Sequence, residues 1–149
     1  MKNKLLISAC LCGKNTKYSG GNNLIPELSV IEENFELFLV CPEVDGGLST
    51  PRNPSEQIED KVVSNVGVDV TKEFNLGAKI ALDVALKNNI KYALLKESSP
   101  SCGSNLIYDG TFSGKKIQGQ GVAAKLLKEN GIVVFSENEI EKLLKIIGA

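Results

Sequence analysis

The stretch TKEFNLGAKIALDVALKNNIKYALLK, residues 71–96, sets two structural periods side by side. Phe74, Ala78, Ala81, Leu82 and Ala85 recur at helical spacing, which predicts a helix over 71–89 that stops at Asn88-Asn89. Tyr92–Lys96 follows as a short apolar run and predicts a strand. The pairing repeats outward from here. Leu5–Ser8, Phe38–Cys41 and Ile132–Phe135 also read as strands. Asn23–Glu33, with Pro26 near its start, reads as a helix. So does Gly121–Asn130, with Gly131 in the C′ position that favours a left-handed residue. A last helix, Glu137–Ile147, has Ser136 as its N-cap and Glu139 as the capping-box partner. Strands alternating with helices predict an α/β fold: an open, mostly parallel sheet covered by helices. Two connections, Pro42–Val70 and Glu97–Gly119, carry no clear period. Irregular stretches of that length in a compact domain are usually functional or hide short elements. Within the second, NLIYDGTFSGK (105–115) reads as a hairpin turning at Asp109-Gly110.

The 149 residues are 42% apolar and 23% charged, with a net charge of -1. That is enough chain for one domain, 1–149, with a full core. No polybasic run supplies the phosphate-neutralising surface that nucleic-acid binding needs, so a small-molecule partner is expected. The start MKNKLLISAC has too few apolar residues before Ser8 for a secretion signal. No run approaches the roughly 20 apolar residues of a membrane span. A cytoplasmic protein without structural disulfides is expected. Histidine is absent. Cys-His and Ser-His-Asp catalysis and His-ligated metals are thereby excluded, and any metal must be held by thiolates or carboxylates.

The four cysteines gain meaning from that absence. Cys10, in SACLCG (8–13), follows the first predicted strand. Cys41 ends the second, and Cys102, in SPSCG (99–103), lies just past the third. Ligands in open parallel sheets bind outside the carboxyl ends of the strands, so three cysteines distant in sequence are expected on one rim. A lone cysteine is most often a small buried hydrophobe. Three at strand ends, each flanked by Gly, Pro or Ser, fit that reading poorly. Structural zinc sites favour close cysteine pairs with two to four residues between them, whereas Cys10 and Cys12 have one. Dispersed thiolates suit an iron–sulfur cluster better, and three ligands for four irons leave one iron open. Glu43, two residues after Cys41, reads either as a general base beside a metal or as a surface carboxylate. Arg52 either orients an acidic or carbonyl group or is an ordinary loop arginine. Gly46-Gly47 mark a close backbone approach or a bend. Ser98, Ser99 and Ser101 crowd a turn that reads either as N–H groups facing an anion or as a plain solvated turn.

Taken together, SACLCG and KYSGGNN (8–23), VCPEVDGGLSTPRNPSE (40–56), DVTKEFNLGA (69–78), LLKESSPSCGSNLIYDGTFSGK (94–115) and GQGVAAKLL (119–127) resemble the thiouracil desulfidase family, TudS, over essentially the whole chain. The resemblance implies a 4Fe-4S cluster held by Cys10, Cys41 and Cys102. It also implies hydrolytic, non-redox removal of sulfur from a small thiolated nucleobase or nucleoside. Glu43 and Ser101 fall on positions implicated in catalysis, and Lys96 matches a third. Glu43 would activate a water, and Ser101 would bond the substrate or relay a proton. Where the family commonly has an aspartate after the tyrosine, this chain has Ser19. Cys12 matches no ligand position. In an extended stretch it would share a face with Cys10. The alternative is an electron-transfer or sulfide-carrying cluster protein, which would need neither an open iron nor a base.

Overall fold

The computed structural model describes residues 2–149. In chain order the elements are β1 (Asn3–Ser8), α1 (Leu28–Asn34), β2 (Phe35–Val40), α2 (Pro42–Asp45), β3 (Ser55–Ile58), β4 (Lys61–Ser64) and α3 (Thr71–Lys87), then β5 (Tyr92–Leu95), β6 (Leu106–Tyr108), β7 (Lys116–Gln118), α4 (Val122–Glu129), β8 (Val133–Ser136) and α5 (Ile140–Ile146). A 3-10 turn, Ala9–Cys12, follows β1, and another, Glu137–Glu139, precedes α5.

Four parallel strands form the central sheet in the order β2-β1-β5-β8. This is the predicted α/β architecture. Leu5, Leu6 and Ile7 of β1 are fully buried. That is the mark of a central strand covered on both faces, where apolar runs replace alternation. Its side chains divide between two cores. Leu6 packs with Ala81 and Ala85 of α3 and with Ala124 and Leu127 of α4. Leu5 and Ile7 pack with Ile31 of α1 and with Ile140 and Leu143 of α5. Helices therefore flank both sides of the sheet. The capping box on Ser136 and Glu139 forms as the sequence predicts. Among the described residues, no helix is long and apolar enough to cross a membrane.

The two irregular connections hold the differences from expectation. Pro42–Val70 contains the single-turn α2 and an antiparallel hairpin, β3–β4. In the second, β6 and β7 pair as a hairpin, but the chain between them runs from Asp109 to Lys115 instead of turning on Asp109-Gly110 alone. Asn23–Pro26 is not helical, and α1 begins at Leu28.

The order of strands reverses at β1 and β5, with β2 beyond one and β8 beyond the other. The ends of this central pair are tied together, because the Lys96 N–H donates to Ser8 Oγ at 3.0 Å. A crevice at such a reversal, outside the carboxyl ends of the strands, is where ligands bind in open α/β sheets.

Candidate active site

Cys10, Cys41, Glu43, Lys96, Ser101 and Cys102 all line one cavity of about 520 Å3 at this reversal. That size lies within the roughly 300–1,000 Å3 usual for small-molecule sites. A second hollow of about 540 Å3, bordered by Leu48, Pro51, Asn53 and Val68, contains no cysteine.

Three elements carry the thiols. Cys10 sits in the 3-10 turn directly after β1. Cys41 is the N-cap of α2, with Pro42 at its first helical position. Backbone contact with α3 sets the place of α2. A Cβ on Gly77 would lie 1.7 Å from the Pro42 carbonyl oxygen, so only glycine allows the approach. The Gly46 part of the predicted glycine pair makes the same kind of close contact, with the Glu73 carbonyl, and Gly47 provides the bend at positive φ. Cys102 belongs to the loop after β5. The first N–H groups of α4 donate back to that loop: Val122 to Pro100 O at 2.9 Å and Ala123 to Ser101 O at 2.8 Å.

Glu97 fixes the rest of this loop. It is buried, and its Oε1 accepts from the N–H groups of Ser98, Ser104, Asn105 and Leu106 at 2.9–3.2 Å, while Oε2 accepts from Asn105 Nδ2. Burial pushes its pKa up, but the backbone N–H donors outweigh burial and hold the carboxyl below the usual range. Ser99 Oγ in turn accepts from the N–H groups of Ser101 and Cys102, both at 3.1 Å. The N–H groups of Ser98, Ser101 and Cys102 are therefore taken up inside the loop. Sequence reasoning missed Glu97 and the role of Ser99, because their partners are backbone groups that no side-chain motif records.

Glu43 is not a surface carboxylate, since its side chain is 15% exposed. Arg52 Nε donates to its Oε1 at 3.1 Å, and Ser101 Oγ donates to its Oε2 at 2.9 Å. Ser99 Oγ lies 3.4 Å from the same Oε2 and 2.9 Å from Ser101 Oγ. The Arg52 fork also donates to the carbonyls of Thr16 and Ser49. Of the two readings of Arg52, the geometry carries the orienting one. Lys96 lines the cavity, but its ammonium is engaged by Glu137 Oε2 at 2.9 Å and by its neighbouring carbonyl. Ser19 is exposed, whereas the preceding Tyr18 lines the cavity.

The donor set fits a polynuclear centre. All four cysteines are free thiols. Among the described residues, no three His, Cys, Asp or Glu side chains converge closely enough to hold a single metal ion. Cys10, Cys41 and Cys102 line the cavity, and dispersed thiolates are the donors an iron–sulfur cluster takes. Burial pushes the Cys10 and Cys41 thiols up and the Cys102 thiol up to about 12. A cationic metal centre would deprotonate the sulfurs that ligate it and so offset the cost that burial sets on their thiolates. Cys12 does not line the cavity; it packs against the α1/α5 core, and burial followed by Glu32 pushes its thiol up to about 11. The expectation that it shares a face with Cys10 is corrected by the 3-10 turn. With three residues per turn, positions i and i+2 diverge.

Three similarities to known proteins bear on the site. Residues 5–139 match the family model described as 2-thiouracil desulfurase. The chain is 43% identical over 150 residues to a Bacillus subtilis (strain 168) protein, uncharacterized protein YbbK, covering 94% of this chain and 99% of that one. It also superposes on a solved structure described as the [4Fe-4S]-dependent thiouracil desulfidase TudS. The TM-score is 0.92 and the identity 43%, with 98% of each chain covered.

Proposed function

The chain belongs to the 2-thiouracil desulfurase family, and from that premise we propose that it is an iron–sulfur-dependent desulfidase for thiolated uracils. Its substrates are 2- or 4-thiouracil or a thiouridine derivative. The ring carbon loses sulfur and gains the oxygen of one water, giving the uracil and hydrogen sulfide. No electrons are exchanged with an outside donor. The observation that supports this best is the convergence of Glu43 and Ser101 on one cavity with three separated thiols.

Cys10, Cys41 and Cys102 would hold a 4Fe-4S cluster. When bound through three cysteines, such a cluster supplies a Lewis-acidic iron for which a soft sulfur atom is a suitable ligand. The chain's own groups supply the proton chemistry. Glu43 takes a proton from the attacking water. A positioned base of this kind contributes typically ~10²–10⁴-fold. Arg52 holds Oε1, so Oε2 is the oxygen that faces Ser99 and Ser101. The Ser101 hydroxyl carries one proton and has Glu43 Oε2 and Cys102 Sγ (3.6 Å) within reach. It is placed to hand a proton from the carboxyl toward the sulfur side of the cavity. Ser99, 2.9 Å from Ser101 Oγ, extends that path. Lys96 is paired to Glu137, and so acts as a fixed positive charge near Cys10. An electron-transfer protein would have no use for a carboxylate held at both oxygens beside its thiols.

The test is anaerobic purification followed by iron and acid-labile sulfide assays and incubation with 2-thiouracil, 4-thiouracil and their nucleosides. Equal amounts of sulfide and uracil product are expected. Iron-loaded protein that releases sulfide from none of them would end the proposal.

A further inference from the structure

We propose that the β6–β7 hairpin is the ring-recognition wall of the site. Phe112 and Tyr108 stack on the planar heterocycle, and Glu56 is the positioning residue that holds Phe112 in place. This inference rests on the proposed function.

The first observation is where the aromatic residues lie. The chain has five Phe, three Tyr and no Trp. Phe35, Phe74 and Phe135 are buried in the core, and Phe38 and Tyr92 pack against it. The three that remain, Tyr18, Tyr108 and Phe112, all line the cavity. Phe112 is 36% exposed and Tyr18 is 43% exposed. Scattered exposed apolar residues need no explanation, but every non-core aromatic at one cavity points to a planar ligand.

The second observation is the backbone at Phe112. Its φ is 57°, in the left-handed region that a bulky side chain rarely adopts. Something must hold it there. Glu56, on β3, is a buried carboxylate that the chemistry above does not use. Its Oε1 accepts from the N–H of Gly110 at 2.9 Å and of Phe112 at 3.2 Å. Gly110 also lies against the Gln57 carbonyl so closely that a Cβ would come within 2.7 Å. The hairpin tip is thus clamped to β3 at two points, and the clamp sets where the Phe112 ring stands. Lys116 Nζ sits over the Tyr108 ring at 5.5 Å and steadies the second aromatic. Strained residues over-determined by their surroundings cluster at ligand clamps.

Stacking a base on an aromatic ring changes affinity by roughly 5- to 150-fold. Phe112→Leu keeps apolar volume and removes the π face. It should weaken uracil binding, measured by calorimetry on the cluster-loaded protein, by about tenfold or more. The KM for 2-thiouracil should rise by a similar factor, more than kcat falls, at unchanged iron content. Phe112→Tyr should restore both values, and Tyr108→Leu should act in the same direction as Phe112→Leu. Glu56→Gln should weaken uracil binding, and the Glu56→Gln/Phe112→Leu double variant should be no worse than Phe112→Leu alone, because Glu56 acts through Phe112. Additive losses would overturn the role given to Glu56. Uracil affinity within twofold of wild type in both Phe112→Leu and Tyr108→Leu would overturn the stacking wall while leaving the desulfidase standing. Wild-type protein that neither binds uracil nor releases sulfide would overturn both.

Discussion

The Ser101 hydroxyl donates to Glu43 Oε2 at 2.9 Å, joining residues 58 positions apart. The other oxygen of the same carboxylate is held by Arg52 at 3.1 Å. Glu43 is therefore oriented from two sides, and the proposed proton path runs through one serine. Ser101→Ala should keep the cluster and lose roughly 10²-fold in kcat, the usual effect of removing one positioned hydrogen-bond donor. Sulfide release per iron measures it. A wild-type rate would mean that Ser99, which reaches the same Oε2 at 3.4 Å, carries the proton.

Arg52→Lys separates charge from geometry. Lysine keeps the positive charge but cannot reproduce the fork that reaches Glu43, Thr16 and Ser49 together. With side chains only 9% and 15% exposed, the pair is well screened from water. Breaking such a pair outright costs about 3–5 kcal/mol. Arg52→Lys should cost less than that in urea denaturation, while kcat falls by at least tenfold. An unchanged kcat would show that Glu43 is oriented without Arg52.

The thiols divide three to one. Cys10→Ser, Cys41→Ser and Cys102→Ser should each lose iron and acid-labile sulfide, because each removes a sulfur facing the cavity. Cys12→Ser should retain both, since Cys12 does not line the cavity. Iron loss in Cys12→Ser equal to the others would replace the proposed ligand set.

Glu97 governs acid stability. Its folded carboxyl is held below the ordinary value, about 4.3 in an unfolded chain, by N–H donors that outweigh burial. A depressed folded pKa contributes stability that is fully present above the unfolded value. That contribution is lost as pH falls through the folded one. Glu97→Gln keeps an acceptor oxygen but not the charge. It should cost on the order of 2 kcal/mol at pH 7. The gap to wild type should narrow as pH drops below about 4.3. Urea denaturation of both proteins from pH 7 down to about pH 3 measures this, and a gap that stays constant below the unfolded value would contradict it.

Much of this was legible because buried strands and amphipathic helices leave strong periods. β1, β5, α3 and the Ser136 capping box follow from residue spacing alone. The expectation that Cys10, Cys41 and Cys102 gather comes from the same pattern, since strand ends in a parallel sheet share a rim, and the three line one cavity. The β3–β4 hairpin was not legible. Its strands are four residues each, and it turns on Glu59-Asp60, with Glu59 at positive φ, in place of an Asn-Gly signal. Glu97 and Glu56 escaped for another reason: each works by accepting backbone N–H groups brought to it by tertiary folding. The 3-10 turn at Ala9–Cys12, which separates the two cysteines of SACLCG, replaced an expected extended strand end.

The central claim is that Glu43 is the base that activates water, distinct from the thiols that hold the cluster. Glu43→Gln is a neutral isostere, so its iron content and visible spectrum should match wild type. Anaerobic sulfide release from 2-thiouracil, normalised to iron and measured beside wild type, should fall by about two orders of magnitude or more. Turnover of Glu43→Gln at the wild-type rate per cluster would contradict the account.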